Sequence, residues 1–489
     1  MHLLTGATGY IGGRLLRRLE RDGSAVRCLC RNPEALAWRM APGTEVVQGD
    51  LLQPASLDVA FSGVDTVFYL VHSMNSGEEF EAEERRAAHN FAVAARKAEV
   101  RRIIYLGGLA HGAELSAHMR SRVETGNILR ATGIPVIEFQ ASIVIGSGSA
   151  SFEMIRALVE RLPVMLTPRW VNTAAQPIAI EDVIDYLAAS ARLPANGNLT
   201  FEIGGLDITS YMGIMREYAR QRKLRRWIVR VPFLSLSLSS RWLTLITPVY
   251  AAIGRSLIAS VRNPSVVLNH AALHAFDIRP MGITRAIERA LAKEDRSIAE
   301  TRWSDARTPA AFVSALPKPD AHLFVNTQTT RVPVAPLQAF APIRRIGGRT
   351  GWYFGNVLWR IRGLIDLMVG GVGMRRGRPD PETPYPGSTL DCWRVESYEP
   401  GRRLRLIAEM KVPGRAWLEF RTEPEGASTV ITQLAEFEPR GLFGILYWHL
   451  LKPIHEVMFR GMLRRIATAA LHPLEHIERL RLTGAEAIR

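Results

Sequence analysis

Eight residues near the start of the chain, Thr5-Gly6-Ala7-Thr8-Gly9-Tyr10-Ile11-Gly12, constrain its fold more than any other stretch. They link a short apolar run, HLLT at 2–5, to a segment whose Ile11, Leu15, Leu16 and Leu19 recur at helical spacing. The glycines fall at G-x-x-G-x-x-G. In a strand–turn–helix setting, Gly6 permits the tight turn, Gly9 lets backbone approach a pyrophosphate, and Gly12 lets the helix sit close to the sheet. The unpaired N–H groups of the first helical turn then face the pyrophosphate.

Strand and helix patterns continue to alternate along the next 120 residues or so. Ala25–Cys30, Glu45–Val47, Thr66–Val71, Ile103–Leu106 and Val136–Phe139 read as strands, and Phe80–Ala98 as a helix. Such alternation predicts an α/β fold, a Rossmann doubly wound parallel sheet with helices on both faces. At 489 residues the chain exceeds one core. We expect a first domain over 1–294, with a small substrate lobe from about 200, a linker over 295–320, and a second domain over 321–480.

Cofactor choice is read at the end of the second strand. An acidic residue there bonds the ribose 2′-hydroxyl of NAD; this chain has Arg31, in the sequence CRNP. A guanidinium pairs with a 2′-phosphate, so NADP(H) is the expected cofactor, with Arg14 assisting. The competing reading of Arg31 is a solvated charge at a strand end.

The formal charge of +15 is high, but only six of the 62 basic residues are Lys. That excess of Arg suits a composition bias, and no nucleic-acid motif accompanies it, so nucleic-acid binding is not expected. Basic residues at Arg220, Arg222, Lys223, Arg225 and Arg226 leave contact with a partner or an anionic membrane surface open. Cys28 and Cys30 share one strand face and lack further ligands nearby, so they are expected to be core thiols in a reducing compartment, with no metal site. The chain opens directly on a strand-like segment, and Val231–Val261 is interrupted by Arg241, Pro248 and Arg255. A cytoplasmic protein, at most peripheral to a membrane, is expected.

TGATGYIG, VRCLCRNP and the GDL of 49–51 together resemble the NmrA-like, NAD(P)-binding branch of the short-chain dehydrogenases, over roughly residues 1–290. The resemblance implies that Asp50 and Leu51 border the adenine and that Leu70 and Val71 line the cofactor. With the turn, the expected cofactor set is Gly6, Thr8, Gly9, Tyr10, Ile11, Gly12, Arg31, Asp50, Leu51, Leu70 and Val71. The family's catalytic Ser, Tyr and Lys do not carry over. The fifth strand runs into Gly107-Gly108-Leu109, and alignment through ILRATG (128–133) places His118 at the Tyr position and Arg122 at the Lys position. A histidine with a pKa near 7 can donate a proton; Arg122 can hold ribose or phosphate but cannot shuttle a proton. Both residues also fit an exposed polar helix face. Gly146-Ser147-Gly148-Ser149 is expected as a flexible loop on the nicotinamide side, and Ile178–Val183 as the return to the sheet.

Beyond 320 the pattern changes. Thr389–Ser397, Leu404–Lys411, Ala416–Thr422 and Thr429–Glu438 read as strands, followed by a long helix over Gly444–Leu471. This order resembles the α+β helix-grip fold of polyketide-cyclase and START-like domains, which implies a cavity for an apolar ligand. Trp393, Trp417 and Phe437 fit either that cavity or plain core. Gly347–Trp352 and Met368–Met374 are candidate mobile entrance loops. The function this predicts is NADP(H)-dependent reduction of a hydrophobic carbonyl, enone, quinone or lipid-like substrate. The alternative is a non-catalytic NADP(H) sensor or assembly protein with a lipid- or quinone-binding second domain.

Overall fold

The computed structural model describes residues 1–231, 261–295 and 323–472, apart from residues 38, 73–78, 110, 113, 114, 195, 196, 262, 370, 375, 376, 379 and 381. The chain divides into two compact units, 1–306 and 307–489. Nearly all of the expected linker lies outside the described residues, as does most of the Val231–Val261 stretch.

In the first unit, β1 (His2–Thr5), β2 (Val26–Cys30), β3 (Glu45–Gln48), β4 (Thr66–Tyr69), β5 (Arg102–Gly108), β6 (Val136–Ala141) and β7 (Leu199–Ile203) form one sheet in the order β7-β6-β5-β4-β1-β2-β3. Every pairing in it is parallel. The helices that matter for the site are α1 (Tyr10–Arg21), α2 (Glu79–Lys97), α3 (Ala117–Arg130), α4 (Ala150–Arg161), α5 (Ile180–Ser190) and α6 (Tyr211–Gln221).

Alternate side chains of the central strands enter different cores. Leu4, Phe68 and Ile104 pack with Leu15, Leu16 and Leu187 from α1 and α5, whereas Leu3, Val67 and Ile103 pack with Phe91 and Ala95 of α2. A strand buried on both faces reads as an unbroken apolar run, which is why these segments do not alternate in sequence. Cys28 and Cys30 share the first of these cores, and burial raises both thiol pKa values, that of Cys30 to about 11.

Two expectations need correction. The chain rejoins the sheet through β7, not through Ile178–Val183; Ile178–Ala179 pairs with Val144–Ile145 in a separate two-residue ladder. Nor is Gly146–Ser149 a free loop. The Ser147 carbonyl accepts from Arg14, the Gly148 N–H donates to Glu153, and Ser149 begins α4 with its hydroxyl on the Val144 carbonyl.

The second unit is α+β. Strands β8 (Phe324–Val332), β9 (Thr389–Leu390), β10 (Trp393–Glu399), β11 (Arg403–Ala408), β12 (Gly414–Glu425) and β13 (Ser428–Pro439) form an antiparallel sheet in the order β8-β13-β12-β11-β10-β9. Helices α7 (Pro336–Arg344) and α8 (Asn356–Met368) follow β8, and the 31-residue α9 (Gly441–Leu471) packs on β8 and β13. Sequence periodicity missed β8, α7 and α8. The expected strand 389–397 is two strands, broken at Asp391, whose φ is +53°.

The two candidate entrance loops are anchored structure. Trp352 is 1% exposed and donates its indole N–H to the Asp391 carboxylate at 2.9 Å; the same oxygen accepts the Gly348 N–H at 3.0 Å. Fully buried Asp366 accepts the N–H groups of Gly373 and Lys411 at 2.8 and 2.7 Å. Buried indole and carboxylate groups must be paired, and pairing each other fixes both turns. Trp393, Trp417 and Phe437 are all buried, with Trp393 tilted against Trp352 and Phe437 parallel to Trp448.

Candidate active site

The glycine turn occupies the C-terminal edge of the sheet, where β1 hands over to α1. Gly6 has φ +74°, and a Cβ there would stand 2.7 Å from the Leu70 carbonyl oxygen. At Gly12 a Cβ would stand 2.2 Å from the Gly6 carbonyl oxygen. Both positions therefore require glycine, because backbone already fills the space a side chain would take, and the helix N-terminus sits tight against the turn. The residue before α1 is Gly9, which offers no side-chain cap to the first-turn N–H groups. That donor set fits a pyrophosphate.

A cavity of about 280 Å³ opens from this turn. Gly6, Gly9, Tyr10, Ile11, Gly12 and Leu70 line it, and so do His118 and Arg122. Eight of the thirteen expected residues are thus brought together. The other five, Thr8, Arg31, Asp50, Leu51 and Val71, lie outside it. The Leu51 side chain is 6% exposed and packs with Leu3, Leu57 and Phe91 in the core under α2, which leaves only its backbone to border a nucleotide. The Asp50 carboxylate accepts the Leu52 N–H at 3.0 Å, bracing its own turn. Arg31 is exposed at the end of β2, and among the described residues its guanidinium has no partner. Arg14 does not assist it, since its guanidinium is buried and bonded to the Ser147 carbonyl at 2.9 Å. Another arginine, buried Arg39, approaches the turn, with Nη1 3.4 Å from the Thr8 carbonyl.

At the far end of the cavity His118 does not sit on an exposed helix face. Its Nδ1 lies 3.2 Å from Nε2 of His72, which also lines the cavity, and His72 Nδ1 lies 2.5 Å from the Glu84 carboxylate. The second Glu84 oxygen accepts the Ser121 hydroxyl. Three elements build this row: His72 follows β4, Glu84 comes from α2, and His118 and Ser121 share a face of α3. Arg122 fixes the same helix to the sheet, donating to the Leu106 carbonyl at 2.9 Å while its own carbonyl accepts the Tyr105 hydroxyl at 2.9 Å.

Burial lowers the pKa of His72, helped by the Arg122 guanidinium and opposed by the bond to Glu84. His118 is lowered well below the ordinary imidazole value by burial and by the charges of His72 and Arg122. Burial disfavours the Glu84 anion, yet the bonds from His72 and Ser121 hold its carboxyl below the usual range. An imidazole pair with a carboxylate behind it can hold and pass a proton at the cavity wall.

Sequence reasoning did not find Glu84, Ser121, Tyr211 or the Ser142–Ser265 pair. Tyr211, at the start of α6, lines the cavity, and burial keeps its phenol protonated by raising its pKa. Ser142 and Ser265 touch at 2.8 Å on the wall, 123 residues apart in the chain. No local pattern marks any of these residues. His111 is directed away from the row, with Nε2 2.9 Å from the Val266 carbonyl.

Topology, turn and cavity define the first unit as an NAD(P)-binding Rossmann domain. In agreement, residues 6–133 match the family described as NAD(P)H-binding, and residues 319–462 match a protein family of unknown function, DUF2867. Reductases are among the relatives of this first unit. The ceramide reductase of Caulobacter vibrioides is 28% identical over 232 residues, covering 47% of this chain and 73% of that protein. The (4-alkanoyl-5-oxo-2,5-dihydrofuran-3-yl)methyl phosphate reductase of Streptomyces griseus is 38% identical over 138 residues, 28% of this chain and 45% of that protein. Among solved structures, Citrobacter triphenylmethane reductase complexed with NADP(H) aligns over 59% of this chain and 100% of its own, at TM-score 0.49 and 18% identity.

Proposed function

We propose that the protein is an NADPH-dependent reductase of a hydrophobic carbonyl or enone compound, with His118 as proton donor. The observation that carries this is one cavity that joins a pyrophosphate-fitting turn to a histidine backed by a second histidine and a carboxylate. Bound NADPH supplies a hydride to the substrate carbon. The chain's own task is the proton. In the competent state His72 donates Nδ1–H to Glu84 and Nε2–H to His118 Nδ1, and His118 holds its proton on Nε2. As that proton passes to the substrate oxygen, His118 Nδ1 takes the one on His72 Nε2, leaving two neutral rings and an ionised Glu84. Solvent then restores the proton. This chain of donors replaces the phenol and ammonium that the resembled family uses.

Leu70, Leu106, Leu109 and Ile143 give the cavity apolar walls, which supports an apolar substrate. Free, exposed Arg31 supports NADP(H) over NAD(H), because a guanidinium beside the ribose pairs with a 2′-phosphate. For the second unit we propose a helix-grip module that captures such a substrate. Its support is the element order, a strand, two helices, five strands and a long helix laid on the sheet.

The test is calorimetric titration with NADPH and NADH, then an NADPH-oxidation screen of long-chain ketones, enones and quinones. Tighter binding of NADPH, with turnover that falls about 100-fold or more in His118→Ala at unchanged NADPH affinity, is expected. Binding without turnover across the screen overturns the reductase reading in favour of a sensor. An Arg31→Asp variant should lose roughly tenfold or more in NADPH affinity and little in NADH affinity; equal losses refute the role of Arg31.

A further inference from the structure

The second unit carries two apolar stripes that the proposed reaction does not use. On α8, Val357, Ile361 and Met368 recur on one exposed face; on α9, Phe443, Leu446 and Leu450 do the same. Exposure reaches 74% at Met368 and 72% at Leu450, where a packed core position would be a few per cent. The two helices are fastened to one loop. From α8, Arg362 donates to the Lys411 carbonyl and Asp366 accepts the Lys411 N–H. At the start of α9, Arg440 donates its N–H to the Pro413 carbonyl, against which Gly444 also packs. Both stripes therefore flank the loop that carries exposed Lys411.

Charge identifies the occupant. The two helices carry exposed Arg360, Lys452, Arg460, Arg464 and Arg465 but only two carboxylates, fully buried Asp366 and half-buried Glu456. A second copy pairing through the same faces would set these cations against one another. Helices that carry exposed apolar stripes together with exposed cations match instead the interface of an anionic bilayer, whose acyl boundary takes the former and whose phosphates take the latter. Among the described residues no helix is long and apolar enough to cross a membrane, so these helices would lie in the surface. In the first unit the basic run 220–226 is less available. Arg220 is paired with Glu217, and Arg226 donates to the Val159 and Glu160 carbonyls.

We infer that the α8 and α9 stripes are a docking surface for anionic lipid membranes. The experiment is co-sedimentation of the full chain with vesicles of phosphatidylcholine alone and of phosphatidylcholine with phosphatidylglycerol, with melting and light scattering in parallel. Binding to the anionic vesicles, weakened by salt and abolished by Leu446→Glu with Leu450→Glu, is expected, at an unchanged melting temperature. Lys452→Gln should weaken binding roughly fivefold. The inference is overturned if the wild-type chain stays in the supernatant with both vesicles. It is equally overturned if the double variant dissolves a wild-type dimer, which assigns the stripes to a second copy, or melts early, which assigns them to the chain's own core. None of these readouts depends on NADPH turnover, so the test stands apart from the reductase reading.

Discussion

Replacing Glu84 with Gln keeps the shape of the His72–His118 row and removes the charge behind it. The carboxylate lies 2.5 Å from His72 Nδ1, with the two side chains 8% and 13% exposed. A hydrogen bond to a charged group in such a setting contributes about 1.5–3 kcal/mol. Its loss should lower the His72 pKa further, since the bond to Glu84 is what favours the charged ring. The direction comes from the site, where burial and Arg122 already push His72 down and Glu84 is the group opposing them. The readout needs no substrate: histidine-selective NMR titration, with resonances assigned through His72→Gln and His118→Gln. Stability should change by linkage. An imidazole whose folded pKa is depressed leaves stability undiminished above about 6.5, and stability is lost as pH falls toward the folded pKa. Through His72, Glu84→Gln extends that loss to lower pH, while it removes the loss that Glu84 itself, held below the usual carboxylate range, undergoes when it protonates. In turnover assays, reduction should fall as pH rises through the depressed pKa, and the variant's fall should come at lower pH. A His72 titration unchanged by Glu84→Gln would refute the donor row.

The same geometry sets further outcomes. Gly12→Val places a branched side chain where even a Cβ meets the Gly6 carbonyl oxygen at 2.2 Å. NADPH binding should disappear in calorimetry while circular dichroism keeps the α/β signature, at a stability cost of about 1–3 kcal/mol. In the second unit Arg394, 1% exposed, pairs with Glu409 at 2.8 Å. Arg394→Met should destabilise that unit by about 3–5 kcal/mol in denaturant unfolding, because it strands a buried carboxylate; a loss under about 1 kcal/mol would count against the pair's being buried in solution.

The Rossmann core was legible because its signals are local. The turn at Gly6, Gly9 and Gly12 reports a backbone that must approach another backbone, and the unbroken apolar strands report burial on both faces. His118 and Arg122 were reachable for the same reason, through spacing along one helix. Their meaning was not. Glu84, His72 and His118 stand in a row only because α2 and α3 pack beside the end of β4, and hydrogen bonding across 46 residues leaves no periodicity to read. Leu51 and Arg14 went the other way: sequence position favoured the ligand, and packing took one side chain into the core and tied the other to Ser147.

In the second unit the long helix and the later strands declared themselves by period. The turns at Gly347–Trp352 and Met368–Met374 did not, since glycine-rich sequence is equally that of a free loop. What pins them is Asp391 and Asp366, buried carboxylates that must find donors and find them in backbone N–H groups and the Trp352 indole. Sequence by itself determined which backbone conformations were allowed and which faces had to be apolar, because sterics and hydrophobic periodicity act over a few residues. Only the tertiary structure decided which polar groups meet, because a proton relay depends on distances between side chains that the chain brings together last.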